Sequence, residues 1–253
     1  MKWLRRGLAA GCAVLLAVSL YQLGAYRHAA QRSRASVDAL IDRAVTYPAP
    51  QPSRDPPQQD AAPAQTAPIA VDHAALQAAC PDIVAWLYCP NTAIDQPVAQ
   101  HADNDYYLHH LTDGRENAAG TLFLDCRNAA DLTDWVQIIY GHNMKDGSRF
   151  AILPRYSEQA FYEAHPVWYL LTPACDLRVE LVAGFVTTSD AALYTLPHSR
   201  ASKEALLESA LAQSDFRSAV TPTDQDRVVV FSTCSYASDT ARYVLVGVLR
   251  TIE

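Results

Sequence analysis

Three side chains that could perform nucleophilic and acid–base chemistry stand where predicted strands begin or end. Cys234 closes the apolar run VVVFSTC, His142 follows the apolar run WVQIIYG, and Arg242 precedes the alternating run YVLVGVLR. A thiolate is a nucleophile for acyl transfer, an imidazole carries protons, and a guanidinium can donate hydrogen bonds to an oxyanion. Brought together, these residue types would suit acyl transfer by a cysteine nucleophile.

Each of the three residues also has a purely structural interpretation. A free cysteine such as Cys234 packs as a small hydrophobe, His142 suits a turn that it stabilises locally, and Arg242 suits a solvated strand end. If the strand that ends at Cys234 pairs antiparallel with the strand that begins at Arg242, both residues lie at one edge of the sheet. That pairing would favour the chemical interpretation over the structural one.

The elements that must position these residues are mainly strands. Apolar and β-branched runs bounded by turn residues predict eight of them, at Ile83–Tyr88, Ile94–Val98, Thr121–Asp125, Trp135–Tyr140, Val167–Leu171, Leu177–Thr187, Arg227–Cys234 and Tyr243–Arg250. Eight strands indicate a barrel or a sandwich. Before them, Asp72 is expected to cap a short helix, and residues 202–213 form an amphipathic helix between late strands.

The amino-terminal third divides into segments by composition. A short basic leader, 1–7, precedes the charge-free stretch 8–26, which is about as long as a membrane-spanning helix. Residues 27–46 place Val, Leu, Ile and Ala at helical spacing, which predicts an amphipathic helix that requires a partner surface. Residues 47–70 are rich in Pro, Gln and Ala and predict an extended spacer, so the catalytic domain is expected to be 71–253.

These segments predict a location as well as a domain order. The expectation is a single-pass protein of the cell membrane, anchored by its N-terminal helix, because the GAYRHAA sequence after the apolar stretch is a poor cleavage site. The very short leader favours an N-terminus on the inside, which would leave the catalytic domain extracellular.

Composition excludes several classes of function. The net charge of −7 and the pI of about 5.6 come with no basic stripe, so nucleic acid is not an expected partner. The 6 cysteines form no CxxC pair and no Cys/His cluster with zinc spacing, so no structural metal is expected. They are also too few, in an apolar chain of this length, to indicate a disulfide scaffold.

Four segments occur in the order found in one family. NTAIDQPVAQHADNDYYL, GTLFLDCRN, IIYGHNMKDGSRFAIL and FSTCSYASDTARYVLVGVL together resemble the class B sortases, which are membrane-anchored cysteine transpeptidases of Gram-positive cell surfaces. The resemblance extends from about residue 81 to 250. It implies a mainly β fold: an eight-stranded sortase-like barrel with N-terminal helices and one inserted helix between late strands, a helix that borders the substrate groove.

The resemblance also implies roles for individual residues. It makes Cys234 the nucleophile, His142 the general acid/base and Arg242 the cation that positions substrate or stabilises the oxyanion. It places four further residues at the groove for the sorting signal, namely Asn104, Leu108, Tyr140 and Ser232. No cofactor and no metal is implied. The implied partners are secreted proteins with a C-terminal sorting signal and an amine acceptor in a peptidoglycan precursor or a pilin.

Three positions depart from the family pattern. Cys126 stands where tyrosine is common, Arg149 where methionine is common, and Ser235 where some members have aspartate. These changes leave the three catalytic positions intact but bear on the shape of the pocket. Two other functions remain open from the residues alone: a cysteine protease that hydrolyses its target, and a non-enzymatic surface adhesin in which the thiol is merely buried.

Overall fold

The computed structural model describes residues 2–48, 66–197, 199–234 and 240–252. Within these ranges the backbone alone is described at residues 2, 4, 5, 7–10 and 234. The described part holds five α-helices: α1 Lys2–Ala44, α2 His73–Ala79, α3 Tyr106–His109, α4 Gln159–Ala164 and α5 Arg200–Gln213. Short 3₁₀ turns lie at Leu153–Ser157 and Ala192–Tyr194. Most of the predicted spacer, together with His198 and Ser235, lies outside the described residues.

Two short strands, β1 Val45–Thr46 and β2 Ala70–Val71, pair with each other, and the remaining strands close a barrel. The barrel strands are β3 Ile83–Tyr88, β4 Asp95–Ala99, β5 Leu122–Leu124, β6 Val136–Tyr140, β7 Val167–Leu171, β8 Asp176–Thr188, β9 Arg227–Cys234 and β10 Ala241–Thr251. Their order around the barrel is β10, β8, β7, β3, β4, β5, β6, β9. The expected eight-stranded, mainly β barrel is therefore confirmed.

Strand β9 explains why the cysteine follows an uninterrupted apolar run. Val229 and Phe231 point into the barrel interior, where they pack in the main core with Trp168. Val228 and Val230 belong to a second core, on the outer face of the sheet. A strand buried on both faces reads as a continuous apolar run instead of an alternating one. The run therefore reports two-sided burial.

Helix α5 covers that second core and differs in detail from its prediction. It begins two residues earlier, at Arg200, because Ser199 caps it with a capping box. Leu207 is buried as expected, whereas Leu211 is 42% exposed. Lys203, which an amphipathic pattern assigns to solvent, is fully buried, since its Nζ donates to the carbonyl oxygens of Asp224 at 2.7 Å and Asp226 at 2.8 Å.

The short helix α2 begins where the sequence predicts. The Asp72 side chain accepts a hydrogen bond from the Ala75 backbone N–H at 2.9 Å, which satisfies one of the free donors at the helix start. Leu76, on the inner side of α2, is fully buried. The cap thus directs this helix onto the barrel.

The segment predicted as 8–26 and most of the segment predicted as 27–46 lie in one continuous helix, α1, of 43 residues. The helix ends at Ala44, and Val45 and Thr46 form strand β1. Its C-terminal part has found the partner surface that its apolar face requires: Leu40 and Ala44 are buried in a cluster with Leu76 and Trp86. Just beyond the helix, the Tyr47 hydroxyl donates to Asp95 of β4 at 2.5 Å. This end of α1 is therefore packed against the barrel.

The expected membrane anchor is contradicted. Among the residues that the structure describes, no helix is both long enough and apolar enough to cross a bilayer. The prediction of a single-pass protein with its N-terminus inside and its catalytic domain outside is wrong on this finding.

Candidate active site

The described side chains of six predicted site residues line one cleft of about 380 Å³ at the edge of the barrel. They are Asn104, Leu108, Tyr140, His142, Ser232 and Arg242. The seventh residue, Cys234, ends β9, which lies between the strands that carry Tyr140 and Arg242. Positions spread over 139 residues of sequence, from 104 to 242, therefore meet at one site.

Strand pairing accounts for this convergence. Strands β6 and β9 are parallel, with Tyr140 opposite Ser232, so His142 and Cys234 each stand two residues beyond the same register pair. Strands β9 and β10 are antiparallel, with Cys234 opposite Arg242. The ends of two parallel strands and the start of a third therefore lie at one edge.

His142 is held by the backbone of α3. Its Nε2 lies 2.8 Å from the carbonyl oxygen of Leu108, and a carbonyl oxygen can only accept, so Nε2 carries the proton in this arrangement. Nδ1 is then the nitrogen that can accept a proton. The Phe150 backbone N–H donates to the His142 carbonyl oxygen at 2.9 Å, which closes the loop after β6.

Gly141, between Tyr140 and His142, permits the close packing of this loop. A Cβ at this position would lie 2.3 Å from Leu122 Cδ2 and 2.8 Å from Phe150 Cδ2, both in the barrel core. The local sequence YGH therefore reflects a steric requirement as well as chemistry. Any larger residue at position 141 would push the start of the His142 loop outward.

Tyr140 contributes its ring to the cleft, while its hydroxyl is hydrogen-bonded to the buried Asp125. The hydroxyl donates to Asp125 Oδ2 at 2.9 Å, and Arg127 binds the same carboxylate through Nε at 2.8 Å and Nη2 at 2.7 Å. Burial opposes the ionised form of Asp125, but the hydrogen bonds from Arg127 and Tyr140 outweigh it and leave the pKa of Asp125 below its ordinary value. Burial, with the nearby Asp125 charge, raises the pKa of the Tyr140 phenol.

Ser232 is buried, and its Oγ lies 2.7 Å from the hydroxyl of Tyr194. Tyr194 also lines the cleft, together with Phe123 and Ser189, and sequence reasoning assigned no role to these three. Arg127 fixes the segment that carries Tyr194 by donating to the Tyr194 carbonyl oxygen at 3.1 Å. An aromatic residue between a strand and a helix was the available signal, but nothing local to it points to the cleft.

Asn104 and Leu108 form the opposite wall. The Asn104 Oδ1 accepts from the Cys126 backbone N–H at 2.8 Å, which leaves the amide NH₂ as the donor of this side chain. Cys126, which stands where tyrosine is common in the family, therefore contacts the site through its backbone N–H. Leu108 contributes its side chain to the cleft and its carbonyl to His142.

The inserted helix α5 was expected to border the substrate groove, but its described residues do not line this cleft. Instead α5 lines a larger, apolar cavity of about 600 Å³ with Phe185, Leu193 and Leu196. The segment 189–197 separates α5 from the cleft and supplies the wall, because Tyr194 at its centre faces Ser232. Among the described residues, the lining of the larger cavity includes no charged or imidazole side chain.

Metal-ion chemistry has no obvious ligand set in the described part of the chain. There, no three His, Cys, Asp or Glu side chains are grouped so that they could hold a metal ion. The described side chains of the cleft include an imidazole, a guanidinium and several hydroxyl groups.

We expect His142 to titrate below pH 6.5. Burial is the main cause of a lowered pKa, opposed by the hydrogen bond to Leu108 and assisted by the positive charges of His109 and Arg149. Near pH 6.5 a larger fraction of the imidazole is therefore neutral, and able to act as a base, than for an ordinary histidine. Because the folded-state pKa lies below the unfolded value, protonation opposes folding, and this contribution to stability is lost on acidification. NMR titration of the His142 ring checks it, and a midpoint at or above 6.5 would contradict it.

Known proteins resemble the chain over most of the barrel, although no protein-family model matches it. It is 38% identical over 173 residues to sortase B of Listeria monocytogenes, which covers 67% of this chain and 70% of that protein. It is 28% identical over 169 residues to sortase B of Staphylococcus aureus, at 66% and 69% coverage. A solved Staphylococcus aureus sortase B–substrate complex superposes with a TM-score of 0.67 and 26% identity, over 70% of this chain and 84% of that one.

The relatedness to the Listeria protein and the barrel shared with the Staphylococcus structure both lead to the same family. The resemblance drawn from the four sequence segments is thereby confirmed. The chain belongs to the class B sortases and is a cysteine transpeptidase.

Proposed function

We propose that Cys234, His142 and Arg242 carry out the transpeptidase reaction in the cleft. The observation that supports this most is the strand register. Cys234 and Arg242 are partners in the antiparallel pairing of β9 with β10. His142 reaches the same edge through the parallel pairing of β6 with β9. This register supports the proposal that a nucleophile, a proton carrier and a cation act together on one substrate.

The first half of the reaction cleaves the substrate. His142 accepts the proton of the Cys234 thiol, and the thiolate attacks the carbonyl carbon of the scissile peptide bond. The oxyanion that forms accepts hydrogen bonds from the Arg242 guanidinium. When the intermediate collapses, the carbon–nitrogen bond breaks, the leaving amine takes the proton from His142, and the acyl group remains on Cys234 as a thioester.

The second half transfers the acyl group. A primary amine attacks the thioester carbonyl, and His142 removes a proton from that nitrogen as the new amide forms. The carbon–sulfur bond then breaks, and the proton returns from His142 to the Cys234 sulfur. One peptide bond is exchanged for another, so the steps balance without an oxidant, a reductant or a cofactor. Water in place of the amine would give hydrolysis.

The substrate is a peptide segment, which we propose to be a sorting signal on a secreted protein, with an amine of the cell wall or of a pilin as acceptor. The Staphylococcus sortase B structure is described as a substrate complex. In this chain the cleft offers a donor at Asn104 and apolar surface at Leu108 and Phe123. Tyr140 shapes the cleft chiefly through its ring, because its hydroxyl is hydrogen-bonded to Asp125. Ser232 shapes it chiefly through its backbone, because its hydroxyl is hydrogen-bonded to Tyr194.

The experiment incubates the protein with a library of peptides and a panel of primary amines, and analyses the products by mass spectrometry. A substrate should yield a product whose mass contains the added amine, together with a covalent acyl adduct on Cys234. A product that contains only water, at every amine concentration, would contradict acyl transfer to amines. The same experiment without peptide controls for modification of the protein by the amines.

The two other functions left open by the residues fare less well. A hydrolytic protease would share the nucleophile and the base, and an adhesin would need neither. Kinship with sortase B at 38% identity favours the transpeptidase over both. An unreactive Cys234 in the peptide experiment would be the outcome that returns the adhesin to consideration.

We expect replacement of Arg242 by Lys to lower kcat on the order of 10²- to 10³-fold, the loss typical of one oxyanion donor. Lysine keeps the charge but loses the planar fork of donors. Arg250→Lys, at the far end of the same strand, is the matched control, since Arg250 pairs with Glu180 and Asp226 away from the cleft. Equal kcat values for Arg242→Lys and the unmodified protein would exclude a catalytic role for the guanidinium.

A further inference from the structure

Arg149 is a buried cation on the loop that carries His142. Its relative exposure is 2%, and its φ of 56° lies in the left-handed region, which is unusual for a residue other than glycine. It pairs with Asn143 across the loop in an isolated β-bridge. Backbone strain combined with a buried charge persists only where the surrounding contacts stabilise it.

The guanidinium of Arg149 has four acceptors, which lie in three other parts of the fold: strand β4, helix α1 and the loop at residues 119–120. Nε donates to the Ala119 carbonyl oxygen at 3.2 Å, and Nη1 donates to the Gln96 side chain on β4. Nη2 donates to the Gly120 carbonyl oxygen at 2.5 Å and to Ser33 Oγ, on α1, at 2.8 Å. Among the described residues, all four acceptors are neutral. The guanidinium therefore acts as a geometric connector between elements rather than as half of an ion pair.

The contact with Gly120 leads directly to His142. Gly120 has a φ of 55°, and a Cβ on it would lie 2.7 Å from the Leu108 carbonyl oxygen and 2.4 Å from that of Tyr107. The Leu108 carbonyl is the group that accepts the hydrogen bond from His142 Nε2. Arg149 thus holds the backbone segment that packs on the acceptor of the histidine. It also lies one residue before Phe150, whose N–H holds the histidine backbone.

Helix α1 contacts both the loop that follows α3, which contains Gly120, and the loop that follows β6, which carries His142 and Arg149. Ala29 of α1 accepts a hydrogen bond from Asn117 Nδ2 at 2.9 Å, and Ser36 Oγ lies 3.4 Å from Thr112 Oγ1. Arg34 lies 3.4 Å from Asp146 on the His142 loop. Ser33, which accepts from Arg149, is itself buried at 4% exposure. Both loops that determine where the histidine sits are therefore covered by one stretch of α1.

We propose that Arg149 is a positioning residue for His142, and that α1 takes part in this positioning through Ser33. Arg149 does not touch the substrate; it fixes the Gly120 backbone, which fixes the Leu108 carbonyl, which fixes the imidazole ring and its Nε2–H tautomer. Methionine, common here in the family, would fill the space without these four hydrogen bonds. The proposal rests on the proposed role of His142.

The test compares Arg149→Met, Arg149→Lys and the matched control Arg115→Met. Arg115 lies on the loop that follows α3, but its side chain is exposed and pairs with Asp113. Arg149→Met should lower kcat roughly 10- to 100-fold, the range expected for a misplaced catalytic group, with KM changed much less. Arg149→Lys, which lacks the fork, should fall with it. Arg115→Met should match the unmodified protein.

A spectroscopic measurement separates positioning from a general loss of structure. In the unmodified protein, ¹⁵N NMR of His142 should show the single Nε2–H tautomer that the Leu108 carbonyl imposes. In folded Arg149→Met, as judged by circular dichroism, the two tautomers should be mixed. Unchanged kcat and a single tautomer in Arg149→Met would overturn the proposal.

Ser33→Ala and Ser36→Ala test whether α1 takes part in positioning His142. Ser33→Ala removes one acceptor of Arg149 with little effect on folding, so it should lower kcat severalfold, whereas Ser36→Ala should not. These variants also decide the matter if Arg149→Met folds poorly, since equal kcat for the two serine variants would overturn the role of α1. His142→Ala separates the proposed catalytic role of His142 from the proposed positioning role of Arg149. If it retains turnover, the proposed function of His142 fails; if it loses turnover while Arg149→Met does not, only the positioning role fails.

Discussion

Replacing Cys234 by Ala is expected to abolish turnover, with a fall on the order of 10⁶-fold, the loss typical of removing a covalent nucleophile. Without the sulfur no thioester forms, and a neutral hydroxyl group of the cleft is a much weaker nucleophile than a thiolate. A continuous assay of peptide cleavage measures the rate. Mass spectrometry of the quenched reaction should find no acyl adduct.

The matched control for this variant is Cys126→Ala. Cys126 is a free cysteine close to the site, and it bonds to Asn104 through its backbone N–H, which alanine retains. Cys126→Ala should therefore keep its activity and its acyl adduct. Turnover at the unmodified rate in Cys234→Ala, or an adduct on Cys126 in the unmodified protein, would remove Cys234 from its proposed role.

Replacing His142 by Ala is expected to lower kcat by roughly 10²- to 10⁴-fold, the usual contribution of a positioned acid–base group. The imidazole has to move a proton in both halves of the reaction, so cleavage and transfer should decline together. The cleft keeps Cys234 and Arg242, which leaves residual chemistry above that of water. Single-turnover measurements of adduct formation and of adduct decay in the presence of amine record the two halves separately.

His109→Ala is the matched control for the histidine. His109 is exposed at the end of α3, next to the Leu108 carbonyl that holds His142, and its own ring makes only a 3.9 Å contact with Asp105 among the described residues. Its loss should leave kcat within a few-fold of the unmodified value. Full activity in His142→Ala would show that another group moves the protons.

The eight strands could be read from the sequence because their signals are local. Each strand is a run of β-favouring residues ended by a turn, and the predicted bounds of β3, β7 and β9 coincide with the observed ones. The Asp72 cap of α2 was equally local, since capping depends on residues three apart. Cys234, His142 and Arg242 stood out for the same reason: each adjoins a recognisable strand.

Other features escaped because their causes lie far away in sequence. Lys203 looks solvent-exposed on a helical pattern, but the carbonyls that bind it belong to residues 224 and 226. Tyr194 gained its place in the cleft from Ser232 and Arg127, in two different strand-end segments. The membrane anchor was inferred from local apolarity alone, and the helices of the described chain do not support it.

The sequence by itself determined which residues could do the chemistry and which segments would be strands, because residue type and hydrophobic period are properties of neighbouring positions. Only the tertiary structure decided that these residues meet. The parallel pairing of β6 with β9 joins positions more than 80 residues apart, and its register follows from closure of the whole barrel. The support of His142 likewise needed Ser33, Gly120 and Arg149 together, a contact set that no local spacing encodes.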